Sequence, residues 1–93
     1  MRTIKQLGQF KRDYKREKKG QHRATLDADL EAVLSLLVSD RSLDPRHHDH
    51  PLIGEWKDFR DCHVRPDLVL IYQKVSTDTL CLVRLGSHSE LGL

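Results

Sequence analysis

The period of the apolar residues changes once along the chain, near residue 50, and this constrains the fold more than any other feature. Before it, Leu26, Leu30, Val33, Leu34 and Leu37 recur at i, i+4, i+7, i+8 and i+11, the stripe of an amphipathic helix. After it come short β-rich runs, with LVLIYQK at 68–74 and LCLVRL at 80–85. Ser76, Thr77 and Asp78 lie between those two runs, and Pro66 and Gly86 bound them. Runs joined by turns this short pair as an antiparallel meander. A helical half followed by a strand half is the pattern of an α+β domain with helices on one face of a small sheet.

The remaining elements follow the same rules. Thr3–Leu7 reads as a short first strand. Leu7, Phe10 and Tyr14 then recur at helical spacing until Gly20, a natural stop. Thr25 sits at the cap of the second helix with Asp27 in its first turn. Trp56–Val64 reads as a strand after a turn at Gly54. The expected architecture is β-α-α-β-β-β, a small antiparallel sheet with two N-terminal helices packed on one face. Residues 1–93 are long enough for one domain with a modest core.

Several function classes drop out early. Two cysteines, Cys62 and Cys81, are too few for a disulfide scaffold and lie in strand-like apolar contexts, so they read as reduced, buried small hydrophobes. No run of about 18 apolar residues exists to span a membrane, and the N-terminus MRTIKQLGQFK lacks the apolar core of a signal peptide. The expected location is the cytoplasm. Net charge is only +2, yet seven of the sixteen Lys and Arg fall between Lys11 and Arg23, opposed by Asp13 and Glu17 alone. Such a stripe, including Lys11, Arg12, Lys15 and Lys18, suits a polyanion or an acidic protein partner; a solvated helix face explains it equally well.

The segment from His47 to Asp67 holds four of the six histidines and four aspartates. Residues i and i+2 of a strand share a face, so Asp61 and His63 point the same way, together with Phe59. Asp67 lies just beyond, His50 precedes this strand and His88 follows the last one. Three readings compete. A metal centre has enough ligands but none of the usual spacings: there is no H-E-x-x-H and no C-x-x-C. A polar surface loop accounts well for His47 and His48. Acid–base cleavage of RNA accounts for His50, His63 and His88, each on its own chain segment. That reaction needs a base for the 2′-hydroxyl, an acid for the 5′-oxygen and groups to hold the phosphate. Histidine serves as either base or acid near neutral pH. Asp61 and Asp67 can orient an imidazole, and Arg84 and Arg60 can stabilise the phosphorane charge.

The residues DHPL at 49–52, G-x-W-K at 54–57, RD-x-HV-x-PD at 60–67, LIY at 70–72 and R-x-G-x-H at 84–88 carry a resemblance. In order and spacing they resemble the YafQ-type toxins of bacterial toxin–antitoxin systems, within the RelE/ParE superfamily. The resemblance implies a microbial-RNase-like fold and a ribosome-dependent endoribonuclease that cuts mRNA in the ribosomal A site without a metal or other cofactor. It implies a cognate antitoxin as partner, besides ribosomal RNA and mRNA, and a toxin–antitoxin complex that binds operator DNA. It implies a catalytic set of His50, His63, Asp67, His88 and Asp61. His50 and His63 would form the acid–base pair, with Asp67 as orienter and charge partner. His88 would contact the scissile phosphate or act as the acid. A non-catalytic toxin of the ParE kind, or a silenced one acting only with its antitoxin, is the alternative. One departure stands out: Gly92 occupies the position where the family carries an aromatic residue. It bears on how the codon is held rather than on the chemistry.

Overall fold

A computed structural model describes residues 1–93. The elements in chain order are β1 (Thr3–Gln6), α1 (Gly8–Glu17), α2 (Leu26–Val38), β2 (His50–Pro51), β3 (Arg60–Arg65), β4 (Leu68–Ser76), β5 (Thr79–Gly86) and a short α3 (His88–Leu91). Single 3-10 turns at Pro45–His47 and Gly54–Trp56 flank β2. The five strands form one sheet in the order β1-β5-β4-β3-β2. The expected α+β architecture holds, and the second half pairs antiparallel throughout.

Four details differ from the sequence expectation. The two-residue β2 adds a fifth strand at the sheet edge, which the β-α-α-β-β-β pattern lacks. β1 pairs parallel with β5, so the sheet is mixed and the first and last strands are neighbours. The third strand begins at Arg60 rather than Trp56, because Gly54 adopts a positive φ of 67° and opens a 3-10 turn through Trp56. And α3 follows β5, held by a capping box: Ser87 Oγ accepts from the Glu90 N–H at 3.1 Å while Glu90 Oε1 accepts from the Ser87 N–H at 2.9 Å.

The core divides by sheet face. Phe10 of α1 and Leu26, Leu30, Val33 and Leu37 of α2 pack on Cys62, Val64, Leu68, Leu70, Tyr72, Leu80, Leu82 and Leu85. Val69, Ile71, Cys81 and Val83 face the other way and are covered by Leu91 of α3, with Leu7, Leu52, Trp56 and Phe59 around them. The central strand β4 is buried on both faces, which is why its sequence reads LVLIY without polar alternation. Cys62 and Cys81 are free and buried, one on each face. Burial raises the Cys62 thiol far above its ordinary value, which keeps it protonated and inert.

An irregularity in β5 sets the position of one arginine. Tyr72 opposes Leu82 but Ile71 opposes Arg84, so Val83 is an extra residue in the ladder. Without this bulge, Arg84 would follow Leu80 and Leu82 onto the helix-covered face. With it, Arg84 joins the row His50–Asp61–Ile71–Arg84, in which each residue directly opposes the next across four strands.

Candidate active site

At one end of the face opposite the helices, three histidines from three chain segments meet one buried carboxylate. His50 stands on the two-residue strand β2, His63 on β3 and His88 on the first turn of α3. The His63 ring lies between those of His88 and His48, with centroids 4.9 and 5.2 Å away. His50 Nδ1 lies 3.0 Å from Asp61 Oδ1 and 2.6 Å from the carbonyl oxygen of His48. Both neighbours are acceptors, so Nδ1 carries the proton and the lone pair of the neutral ring is on Nε2.

Asp61 is the unusual member. Its side chain is 3% exposed, and Oδ1 receives no well-aligned hydrogen bond. Burial pushes its carboxyl above the ordinary value; the nearby His50, His63 and His88 pull it back down. His63 is shifted the other way. Burial lowers it, the neighbouring His88 charge adds to this, and Asp61 opposes both. The neutral imidazole is therefore favoured at His63.

The other expected site residues are distributed differently. Asp67 is not the orienter of this cluster: it lies 3.0 Å from His22 Nε2 and accepts from Gln21 at 2.7 Å, which pins the β3–β4 turn to the loop before α2. The carboxylate that touches His50 is Asp61. Arg60 is displaced too. It opposes Tyr72 and so lies on the helix-covered face, bound to Tyr72 Oη and Asp49 at 3.3 Å each. Strand alternation places it opposite to Asp61, so it does not reach the cluster. Along α1, Lys11, Arg12 and Lys15 are exposed, as are Lys19 and Arg23, whereas Lys18 pairs with Asp27 at 2.9 Å. His47 is structural, its Nδ1 2.6 Å from the carbonyl oxygen of His63; His48, expected as a bystander, is a ring neighbour of His63.

Arg84 belongs to a support that sequence reasoning passed over. Asp13 of α1 is fully buried and accepts from Arg84 Nε at 2.7 Å, from Arg16 Nη1 at 3.0 Å and from the Leu85 N–H at 3.0 Å. Arg16 also donates to the Leu85 carbonyl at 2.8 Å and lies 3.3 Å from Glu90 of α3. β1 ends opposite Leu82, so the outer edge of β5 is bare beyond that point. Asp13 and Arg16, one helical turn apart, pair with both main-chain groups of Leu85 in place of a strand. Burial would raise the Asp13 carboxyl; the bonds from Arg84 and Leu85 and the charges of Arg84 and Arg16 outweigh it and hold the group below its ordinary value. A signal for this existed: Asp13 follows Phe10 by three residues, on the apolar side of a basic helix. Gly86 completes the arrangement, since a Cβ there would come within 2.8 Å of Arg16.

Known proteins share this sequence pattern and this fold. Residues 2–92 match the family described as "Bacterial toxin of type II toxin-antitoxin system, YafQ". The mRNA interferase toxin YafQ of Escherichia coli K12 is 37% identical over 91 residues, covering 97% of this chain and 95% of that protein. A putative toxin YafQ of Haemophilus influenzae is 44% identical over 64 residues, a match spanning 66% of this chain and 63% of that one. Among solved structures, a copper-bound mutant toxin from Helicobacter pylori superposes with a TM-score of 0.85 at 41% identity, covering 98% of this chain and 99% of its own. The toxin in the E. coli DinJ-YafQ complex superposes at 0.82, with 36% identity and 98% of each chain covered. The chain thus belongs to the YafQ family: it is a toxin of a bacterial type II toxin–antitoxin system and an endoribonuclease.

Proposed function

We propose that this toxin enters the A site of translating ribosomes in the cytoplasm and cuts the mRNA there by acid–base chemistry that needs no metal. The observation that carries the reading is the convergence of His50, His63 and His88 on Asp61. His63, whose neutral form is favoured by burial, takes the proton from the 2′-hydroxyl. The 2′-oxygen bonds to phosphorus, the bond to the 5′-oxygen breaks, and His50 gives that oxygen a proton. The products are a 2′,3′-cyclic phosphate and a free 5′-hydroxyl. The His48 carbonyl holds His50 by its Nδ1–H, and the Asp61 carboxylate lies 3.0 Å from the same nitrogen, which leaves Nε2 to face the leaving oxygen. His88 contacts the scissile phosphate, and Arg84, held by Asp13, supplies positive charge to the phosphorane.

The pH dependence tests the assignment of the base. A His63 that titrates below its ordinary 6.5 stays unprotonated as pH falls through that value, so the acid limb of the single-turnover cleavage rate should have its midpoint below pH 6.5. An acid limb centred above 6.5 would assign the base elsewhere.

The exposed part of the α1 stripe is the proposed anchor on ribosomal RNA. Replacing Lys11 and Lys15 by Glu should weaken ribosome binding and flatten its salt dependence, by roughly 0.7–0.9 in log–log slope for each phosphate no longer neutralised. A slope equal to that of wild type would remove these lysines from the interface. As in the DinJ-YafQ toxin-antitoxin complex, the partner in this reading is a cognate antitoxin; binding of operator DNA by the pair belongs to the same proposal.

A further inference from the structure

Two of these histidines, His50 and His88, line a cavity that also holds side chains of another chemistry. It has a volume of about 520 Å³ and lies between the Ile53–Trp56 turn and the C-terminal end of the chain. His50, Asp61 and His88 line it together with Leu52, Ile53, Trp56 and Glu55. The volume falls in the range of small-ligand sites, roughly 300–1,000 Å³. Ile53 is 88% exposed, an unusual position for a large aliphatic side chain next to a charged cluster. The Trp56 ring is held edge-on by Phe59, with centroids 5.5 Å apart and planes at 78°. Gly92 also lines it, and nothing lies within 4 Å of where its Cβ would be. The site thus offers a fixed aromatic surface, an aliphatic neighbour and open space above them, all beside the groups assigned to the phosphate.

We propose that this cavity holds the nucleobase adjoining the scissile phosphate, stacked on Trp56, with Glu55 reading its edge. The proposal rests on the RNA-cleavage reading above. Stacking fits because every base has a π-face and an aromatic side chain is its usual platform. An ionised carboxylate only accepts hydrogen bonds. Adenine and cytosine offer it an exocyclic amino group, and guanine an N1–H and an amino group side by side. Uracil offers a single N–H flanked by two carbonyl oxygens, which repel the carboxylate. Glu55 therefore selects against uracil at this nucleotide.

The test is cleavage of a panel of mRNAs on translating ribosomes, differing only in the base at that nucleotide, by wild type, Trp56→Phe, Trp56→Ala and Glu55→Gln, each checked for folding by circular dichroism. Wild type should cut the uracil message at least fivefold more slowly than the adenine one. W56A should need roughly tenfold or more protein for half-maximal cleavage, while W56F stays within about threefold of wild type. In E55Q, whose amide both donates and accepts, the uracil-to-adenine ratio should rise by about fivefold or more. W56A that cuts like wild type, or E55Q with an unchanged ratio, overturns the assignment. If W56A does not fold, the ratio in E55Q decides, since Glu55 is exposed and its replacement does not touch the core. Wild type that cuts no message overturns the cleavage reading itself.

Discussion

His63→Ala should reduce single-turnover mRNA cleavage by about 10²–10⁴-fold, the usual contribution of one well-placed proton transfer. The protein should stay folded. The His63 side chain is half-buried and neighbours His48 and His88 rather than either core cluster. Removal of the imidazole takes away the group whose neutral form is favoured at neutral pH, so raising the pH should not restore the rate. A His63→Ala protein within tenfold of wild type would leave the cluster without its proposed base.

Asp13→Ala should cost about 2–4 kcal/mol of stability, somewhat less than the roughly 3–5 kcal/mol usual for removing one partner of a buried ion pair. The range is set low because Arg84 and Arg16 are 22% and 42% exposed and can turn toward water. In a chain of this length such a loss lowers Tm by on the order of 15 °C. The sign of the pH effect follows from the direction of the shift. A carboxyl that titrates lower in the folded state than in the unfolded chain contributes its full stability above the unfolded value, near pH 3.9. That contribution is lost as pH falls from there through the folded value. Asp13→Asn keeps an acceptor for Leu85 N–H but has no charge to lose, so its stability should fall less steeply over the same acid window. Urea unfolding at pH 7 and across pH 2–5 measures both. An Asp13→Ala protein within 1 kcal/mol of wild type at pH 7 would contradict the role given to this carboxylate.

The two halves of the fold were legible because each carries an unambiguous period. The α2 stripe and the paired runs of β4 and β5 lie where their spacing puts them. The parallel contact of β1 with β5 was not legible, because Thr3–Gln6 has no pattern of its own and takes its place from a partner some 75 residues away. The bulge at Val83 escaped for a similar reason. LCLVRL alternates acceptably in either register, and only the pairing with β4 shows that Arg84 has changed face. Among site residues, strand alternation located His63 and Asp61 together, and the same rule, carried one residue back, places Arg60 on the wrong face. Asp67 sits two residues past the end of β3, and a turn can aim a side chain anywhere; this one aims at His22. Asp13 went unrecognised because a lone acid inside a basic helix looks like charge balance until its burial is known.

The central claim is that this cluster cuts mRNA on the ribosome without a metal. The direct measurement is in-vitro translation of a defined message with purified protein, cleavage being mapped by primer extension, with and without ribosomes and with the protein stripped by EDTA beforehand. The expected result is cuts within A-site codons that require ribosomes, survive the stripping, and vanish together in His50→Ala, His63→Ala and His88→Ala. Translation that stops with the message intact would contradict the account and make this chain a binding toxin; cuts abolished by stripping and restored by added copper or zinc would replace its acid–base centre with a metal one.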